Sequence, residues 1–582
     1  LNNSLFKFFF LIAILLFAAQ AMAQSRDATT EKKEAPIVRK IIFEVVDVFD
    51  DPSLGSFYKT VNNLKISTDE SVIERELLIK EGDKFDPFLV EESERNLRSL
   101  PYLRRVSITP VHDGGFVDLI VSVQDTWTLI PQLNLALGGG RDKKSIGIAE
   151  SNLLGYGKRA ELLYADEDGR EQVQGVWDDR RFMGTHQRLL LAHFERTDGY
   201  RFVGLWGKPF RSLVEPYAWS FNTDLSDQVS KLFEASEERY IFRQRHTQVG
   251  GGYTFSHGDP TVILQRYTLG YEFSSDKFQD ADDKDFRDVD VDPDSVSRDP
   301  ALLPEDRRFS GPYIAFEQIE PDFISINYVD RFERVEDFNL GQQINARFGF
   351  ASEVFDSSKD ALLVSYSVGD GTRIDSTSFV RAEAGLSSRV VNGGLENSLI
   401  RGEVKYYNVL GAQELFGNYV GKHTLAGQLS MDLGERLDKD REFLLGADDG
   451  LRGYKINTFT GDYRLIGNVE DRMHFVEDIY QLFSLGAAVF ADFGGTSQKG
   501  YGDLIKNNFF ADVGMGLRIG LPRSSSGTVV RIDVAVPLRD GPDGSDRGAP
   551  RFLFTVSQLF RAQLRSETLG PERANLSVGL TP

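Results

Sequence analysis

From Thr128 to Phe560 polar and apolar residues take turns in short runs such as KRAELLYAD, QRLLLAHFE, ALLVSYSVG and GTVVRIDVAVPL, divided by clusters of Gly, Asp, Asn and Ser. A period of two turns one face of a strand toward apolar surroundings and the other toward polar ones. No helix is expected in this region. A tilted membrane-crossing strand needs roughly ten residues, so residues 126–560 predict an all-β, antiparallel transmembrane barrel of sixteen to about twenty strands.

The pattern is different before Thr128. Ile37, Ile41, Phe43 and Val45 alternate with charged residues and predict a strand with one buried face. Ser67 with Glu70 resembles a capping box and opens a first helix that carries Ile73 and Leu77 on one side. Asp86, followed by Pro87, opens a second, whose inner stripe is Leu89, Ser93, Leu97 and Leu100, and Pro101 stops it. Two alternating runs, Tyr102–Val111 and Phe116–Val123, flank His112, Asp113, Gly114 and Gly115, a hairpin signal. Strand, helix, helix, strand, strand predicts a small α+β domain over residues 37–125.

At the N-terminus, Lys7, the apolar run Phe8–Ala19 and the small residues Ala21 and Ala23 have the layout of a secretory signal peptide, residues 1–23. Residues 24–36 are polar and aperiodic and read as a disordered leader. Beyond the signal, no apolar stretch is long enough for a membrane helix.

Composition agrees with a barrel. The chain holds 54 Gly, 43 Phe and 20 Tyr, with aromatics at 12%, while mean hydropathy is only −0.29. Lipid-facing and water-facing residues average out in such a wall, and aromatics gather at the interfaces. A net charge of −21 excludes a nucleic-acid partner, whose phosphates demand a basic surface. Cysteine is absent, which removes disulfides, thiolate zinc sites and a thiol nucleophile. Asp288, Asp290, Asp292 and Asp294 alternate within Asp276–Asp306, but the Gly and closing Glu of a calcium loop are missing, and a solvated acidic loop is expected.

Enzyme signatures are lacking. Neither H-E-x-x-H nor G-x-S-x-G occurs, Gly417–Lys422 is one residue short of a phosphate loop, and the seven histidines lack ligand spacing. No catalytic residue, metal site or cofactor is expected.

Several motifs carry a family resemblance. The α+β unit, with LRSLPYLRRVSITPV leading into GGFVDLIVSVQD, resembles a POTRA domain, although other small α+β domains share its element order. Leu451, Arg452, Gly453 and Tyr454 resemble the [VIL]-R-G-[YF] motif of the BamA, TamA and FhaC superfamily of bacterial surface-antigen barrels. Phe490, Asp492 and Gly494 match its F-x-D-x-G motif. Asn152, Leu153, Leu154, Gly155, Tyr156 and Gly157 resemble a turn near the start of these barrels. The run Phe552, Phe554, Val556, Gln558 and Phe560 resembles their terminal strand signal, here followed by the extension 561–582.

The resemblance implies sixteen strands, a sixth outer loop folded into the lumen, and a contact from Arg452 to Asp492. Physically, an Arg in a confined lumen needs a carboxylate, and its planar fork can engage one with two bonds. Gly453 is expected to permit a tight turn, and Tyr454 to pack on the wall with its hydroxyl in water.

The resemblance also implies work at the seam between first and last strands. There Pro131 and Gly138, Gly139 and Gly140 weaken the ladder, so that an incoming strand could pair with an opened edge. A domain junction and a glycine turn account for the same residues equally well. Three functions follow: a factor that inserts outer-membrane proteins or helps surface proteins cross, a dedicated two-partner secretion pore, or a plain porin. The expected location is the bacterial outer membrane, with the POTRA-like domain in the periplasm. Expected partners are outer-membrane lipids, unfolded clients and periplasmic accessory proteins.

Overall fold

The computed structural model describes residues 35–50, 58, 60, 62, 65–136, 143–167, 170–330, 332, 334–525 and 529–556. The expected signal peptide, most of the leader, Gly138, Gly139, Gly140, Phe560 and the extension 561–582 lie outside the described residues.

In the N-terminal domain, β1 (Ile37–Val46), β2 (Leu103–Asp113) and β3 (Phe116–Asp125) form a sheet of order β1-β3-β2, parallel between β1 and β3. Helices α1 (Glu70–Glu74) and α2 (Pro87–Arg98) pack on it. Val38, Ile73, Leu97, Leu103, Val117 and Val121 are among the residues that make the core. Asp86 caps α2 by accepting from the Phe88 amide at 2.9 Å, with Pro87 in the first turn.

The first helix departs from expectation. Its cap is Asp69, which accepts from the Ser71 amide, and the helix ends before Leu77. The reason is tertiary: Asp125, at the end of β3, takes the Thr68 amide at 3.1 Å and its hydroxyl at 2.5 Å, and pairs with Lys65. That holds the segment around Ser67 extended.

The barrel begins with six short strands: β4 (Leu129–Ala136), β5 (Lys143–Glu150), β6 (Lys158–Glu167), β7 (Arg170–Asp179), β8 (Arg188–Arg196) and β9 (Gly199–Lys208). Longer ones follow, β10 (Tyr217–Glu234), β11 (Glu237–Asp259), β12 (Ile263–Asp280) and β13 (Arg307–Ile319). A small hairpin, β14 (Phe323–Ile326) with β15 (Glu336–Asn339), interrupts the meander. The wall resumes with β16 (Gln343–Ala351), β17 (Ala361–Arg373), β18 (Ser378–Val391), β19 (Gly394–Leu415) and β20 (Asn418–Glu435). A second pair, β21 (Phe443–Leu445) with β22 (Phe459–Gly461), lies in the next loop. The wall ends with β23 (Tyr463–Ile479), β24 (Phe483–Ser497), β25 (Phe510–Gly520), β26 (Val529–Pro537) and β27 (Arg551–Val556).

The ring therefore holds twenty strands among the described residues, the top of the expected range and not sixteen. Six strands of only 8–10 residues let the same length of chain cross more often. In this ring β27 neighbours β4, which makes the junction of last and first strands the seam.

Two short helices, α3 (Asp283–Asp288) and α4 (Tyr501–Asn507), stand in loops where none was expected. The acidic segment is solvated on one side, where Asp290, Asp292 and Asp294 are exposed, and packed on the other: Phe286, Val289, Val291 and Val296 are buried with Val229 and Ile241, and Asp276 lies within β12, paired with Arg307 and His246. Among the described residues, no helix is long and apolar enough to cross a membrane.

The wall inverts the logic of a soluble protein. Val469, Val489, Met515 and Ile532 point outward and are exposed, whereas Glu470, Asp492, Asp512 and Asp533, on the same strands, face inward and are buried. Apolar outside and charged inside is the arrangement lipid demands. The end of the barrel next to the N-terminal domain is called proximal below, the other end distal.

Candidate functional site

The distal loop between β20 and β23 folds back into the lumen. Its stem is tied to the wall by two forked ion pairs, Arg389 to Asp438 at 2.6 and 2.7 Å and Arg307 to Asp440 at 2.6 and 2.8 Å. Arg452 stands at its tip. Its Nε and Nη2 donate to the two carboxylate oxygens of Asp492 on β24, at 2.7 and 2.8 Å. The guanidinium also lies flat against Phe490, 3.2 Å from the ring centre.

Arg452 is 4% exposed and Asp492 is fully buried. Burying such charges is costly unless each is paired and its other hydrogen bonds are met. Here Asn468 donates to Asp492 at 2.8 Å and to the Gly450 carbonyl at 2.9 Å. Glu470 lies 3.4 Å from Arg452 and 3.4 Å from Arg518, and Asp533 is 3.7 Å from Arg452. Asn468, Glu470 and Asp533 were missed in the sequence. The signal was present in the alternation of Asn468, Glu470 and Arg472 along one strand.

Leu451 and Tyr454 are fully buried with Leu445, Phe459, Ile466 and Phe510. The Tyr454 hydroxyl is not in water: it donates to the Arg539 carbonyl at 3.0 Å, because the loop between β26 and β27 closes over it. Gly453 lies in a tight turn, closed by the Tyr454 amide donating to the Leu451 carbonyl at 3.1 Å, and it also permits close approach, since a Cβ there would lie 2.6 Å from the Cβ of Asp512. Gly494 is needed for a similar reason: a Cβ would sit 2.1 Å from the Leu465 carbonyl oxygen, and its φ is +155°.

The inward loop also touches the last strand. Asp543, in the β26–β27 loop, accepts from the Lys455 amide at 2.8 Å and the Thr458 hydroxyl at 3.0 Å. Leu553 of β27 packs on Ala447 and Ile456. On another side, Glu442 accepts from the Phe233 amide at 2.9 Å, and Ser236 donates its amide to the Asn457 carbonyl. Burial pushes the Glu442 carboxyl up to about 7.

At the seam, Pro131 of β4 is opposite Ile148 of β5. Just before β4, Trp127 donates to the Arg523 carbonyl at 2.6 Å and accepts from the Ser525 amide at 2.9 Å, both in the β25–β26 turn. The Ser151 and Ser525 hydroxyls meet at 2.5 Å and join the β5–β6 turn to the β25–β26 turn. Phe552 and Phe554 lie opposite Val534 and Ile532 on β26, and Phe552 is exposed on the outer wall. Val556 ends β27. Nearby, Asn152 donates to the Thr68 hydroxyl at 2.8 Å, and Asp69 donates its amide to the Gly155 carbonyl, which joins the β5–β6 turn to the N-terminal domain.

Fold and site define a membrane-spanning β-barrel that carries a small α+β domain and a lumen entered by its own loop. Residues 206–560 match the Omp85 superfamily domain and residues 60–125 match the POTRA family described as a surface antigen variable number repeat. The chain belongs to the Omp85 superfamily, whose members are outer-membrane barrels of protein insertion and translocation. The match begins at the end of β9, after the short strands.

Among solved structures, the chain is similar to BamA from Haemophilus ducreyi lacking POTRA domains 1–3, at 13% identity and a TM-score of 0.33, over 90% of this chain and 85% of that one. It is similar to CdiB from Acinetobacter baumannii at 11% identity and a TM-score of 0.44, over 90% and 74%. CdiB from Escherichia coli matches at 10% identity and a TM-score of 0.41, over 92% and 93%. No curated protein matches the chain.

Proposed function

We propose that this protein inserts client proteins into the outer membrane, or passes them to the surface, by opening the barrel wall between β4 and β27. In this reading the proximal end faces the periplasm and the N-terminal domain receives the unfolded client there. The distal end faces outside. The exposed edge of β4 or β27 then offers unpaired backbone groups to the client's own strand, which is β-augmentation within the membrane. No covalent step and no cofactor is invoked.

The observation that carries this reading is the double attachment of the inward loop. Arg452 fixes it to the wall at Asp492 on β24, while Leu553, Asp543 and Arg539 attach it to the last strand and the loop before it. A loop so placed supports the lumen side of β27 and links seam position to loop position. A plain porin needs no such attachment of the loop to its last strand, and no docking domain.

Depleting the protein in its host and quantifying the outer-membrane proteome tests the proposal. The expected result is a loss of several barrel or surface proteins. Loss of a single secreted protein, with all barrels unchanged, would favour a dedicated export pore, and an unchanged proteome would overturn both.

A further inference from the structure

The connection between β13 and β16 is far longer than a barrel turn needs, and the hairpin β14–β15 within it turns into the proximal mouth. Ile324, Val329 and Leu340 are buried against Phe379, Tyr407 and Ala426 of the inner wall on β18, β19 and β20. The Tyr328 carbonyl accepts from Thr424 at 2.9 Å, and Asp330 accepts from Arg472 of β23 at 3.1 Å. Further across, the Phe332 ring meets His474 edge-on at 4.6 Å, and a Cβ on Gly520 would lie 2.5 Å from it. Gly520 is on β25, eight places round the ring from β13. The connection thus crosses the proximal opening and packs on the far side.

Its outer surface is held by the N-terminal domain. Arg98 of α2 donates to both oxygens of Asp337 at 2.8 Å. Arg334 reaches back to the Leu100 and Leu103 carbonyls, each at 2.9 Å. The Arg95 guanidinium lies 4.4 Å over the Phe323 ring. These contacts are directional, partly buried and confined to one end of α2, so a shift of that helix breaks them together.

We propose that the β13–β16 connection is a plug for the proximal mouth and that the end of α2 is its latch. Movement of the docking domain then frees the plug and opens the lumen from below, without disturbing the inward loop at the distal end. The plug acts in the same way for inserted and for exported clients, so it stands or falls separately from the choice between them.

The cysteine-free chain allows a direct test with one reporter thiol at a time in the full-length protein. Ala426→Cys places a thiol on the wall under the plug, and Thr496→Cys places one near the distal end, beside the Thr460 carbonyl of the inward loop. Labelling with a charged maleimide is followed in detergent, and heat-modifiable migration on a gel reports a folded barrel. Combining Arg98→Ala, Asp337→Ala and Arg334→Ala is expected to speed labelling at Ala426→Cys by about tenfold or more and to leave Thr496→Cys unchanged. A second variant, with residues 324–338 replaced by a Gly-Ser linker, should label at least as fast. Equal rates at Ala426→Cys in all folded variants would overturn the proposal, as would a parallel rise at both reporters.

Discussion

Arg452 and Asp492 are joined by two hydrogen bonds of 2.7 and 2.8 Å across the lumen, forty positions apart in the chain and shielded from solvent. Removing either partner leaves a buried charge, a loss of about 3–5 kcal/mol where no other group compensates. Asp492→Ala is expected to lower the temperature of heat-modifiable unfolding. Arg452→Lys should fall between it and the parent, since an ammonium cannot match a planar fork. Equal unfolding temperatures for Asp492→Ala and the parent would show that Glu470 and Asp533 hold Arg452 unaided.

Gly453 is set against Asp512 so closely that one methyl group has no room. Gly453→Ala is expected to cost about 1–3 kcal/mol by overpacking. Removing the opposing Cβ in Gly453→Ala with Asp512→Gly should return part of the loss, and denaturant unfolding of the single and double variants measures it. If glycine were needed there for its backbone freedom, the second substitution would bring no recovery.

Glu442 gives the distal surface a pH dependence. Its carboxyl is pushed up to about 7 by burial, so the docked state favours the protonated form more than the undocked state does. Docking is strongest below the ordinary Glu range, near pH 4.5, weakens as pH rises, and levels off above about 7. Hydrogen exchange over residues 438–462, corrected for intrinsic rates, should rise between pH 5 and pH 8, and Glu442→Gln should remove the difference. A rise that persists in Glu442→Gln would assign it to another group.

The barrel was legible because lipid enforces alternation: Val469 beside Glu470, and Ile532 beside Asp533, are the pattern itself. Strand number was not, since strands of 6 to 23 residues share one ring and length alone cannot divide them. In the acidic segment the run of Asp showed the solvated side, where Asp290, Asp292 and Asp294 are exposed, and hid the other. Yet Val289 and Val291 alternate with Asp288, Asp290 and Asp292, and it is this apolar side that is buried with Phe286. Arg452 and Asp492 were named through a family resemblance. Their neighbours Asn468 and Glu470 needed only the same period of two, applied to polar residues facing a closed lumen. Nothing local signalled the Tyr454 environment, because the Arg539 carbonyl that receives its hydroxyl is 85 positions away.

Opening of the seam is tested most directly where Ser151 and Ser525 meet, hydroxyl to hydroxyl at 2.5 Å, one from the β5–β6 turn and one from the β25–β26 turn on opposite sides of the seam. Ser151→Cys with Ser525→Cys can form a single disulfide in a chain without other thiols. Client assembly is then measured in cells depleted of the parent protein, with and without a membrane-permeant reductant. The oxidised variant is expected to fail to assemble clients, and reduction to restore them. Full activity of the oxidised variant would contradict opening of the seam.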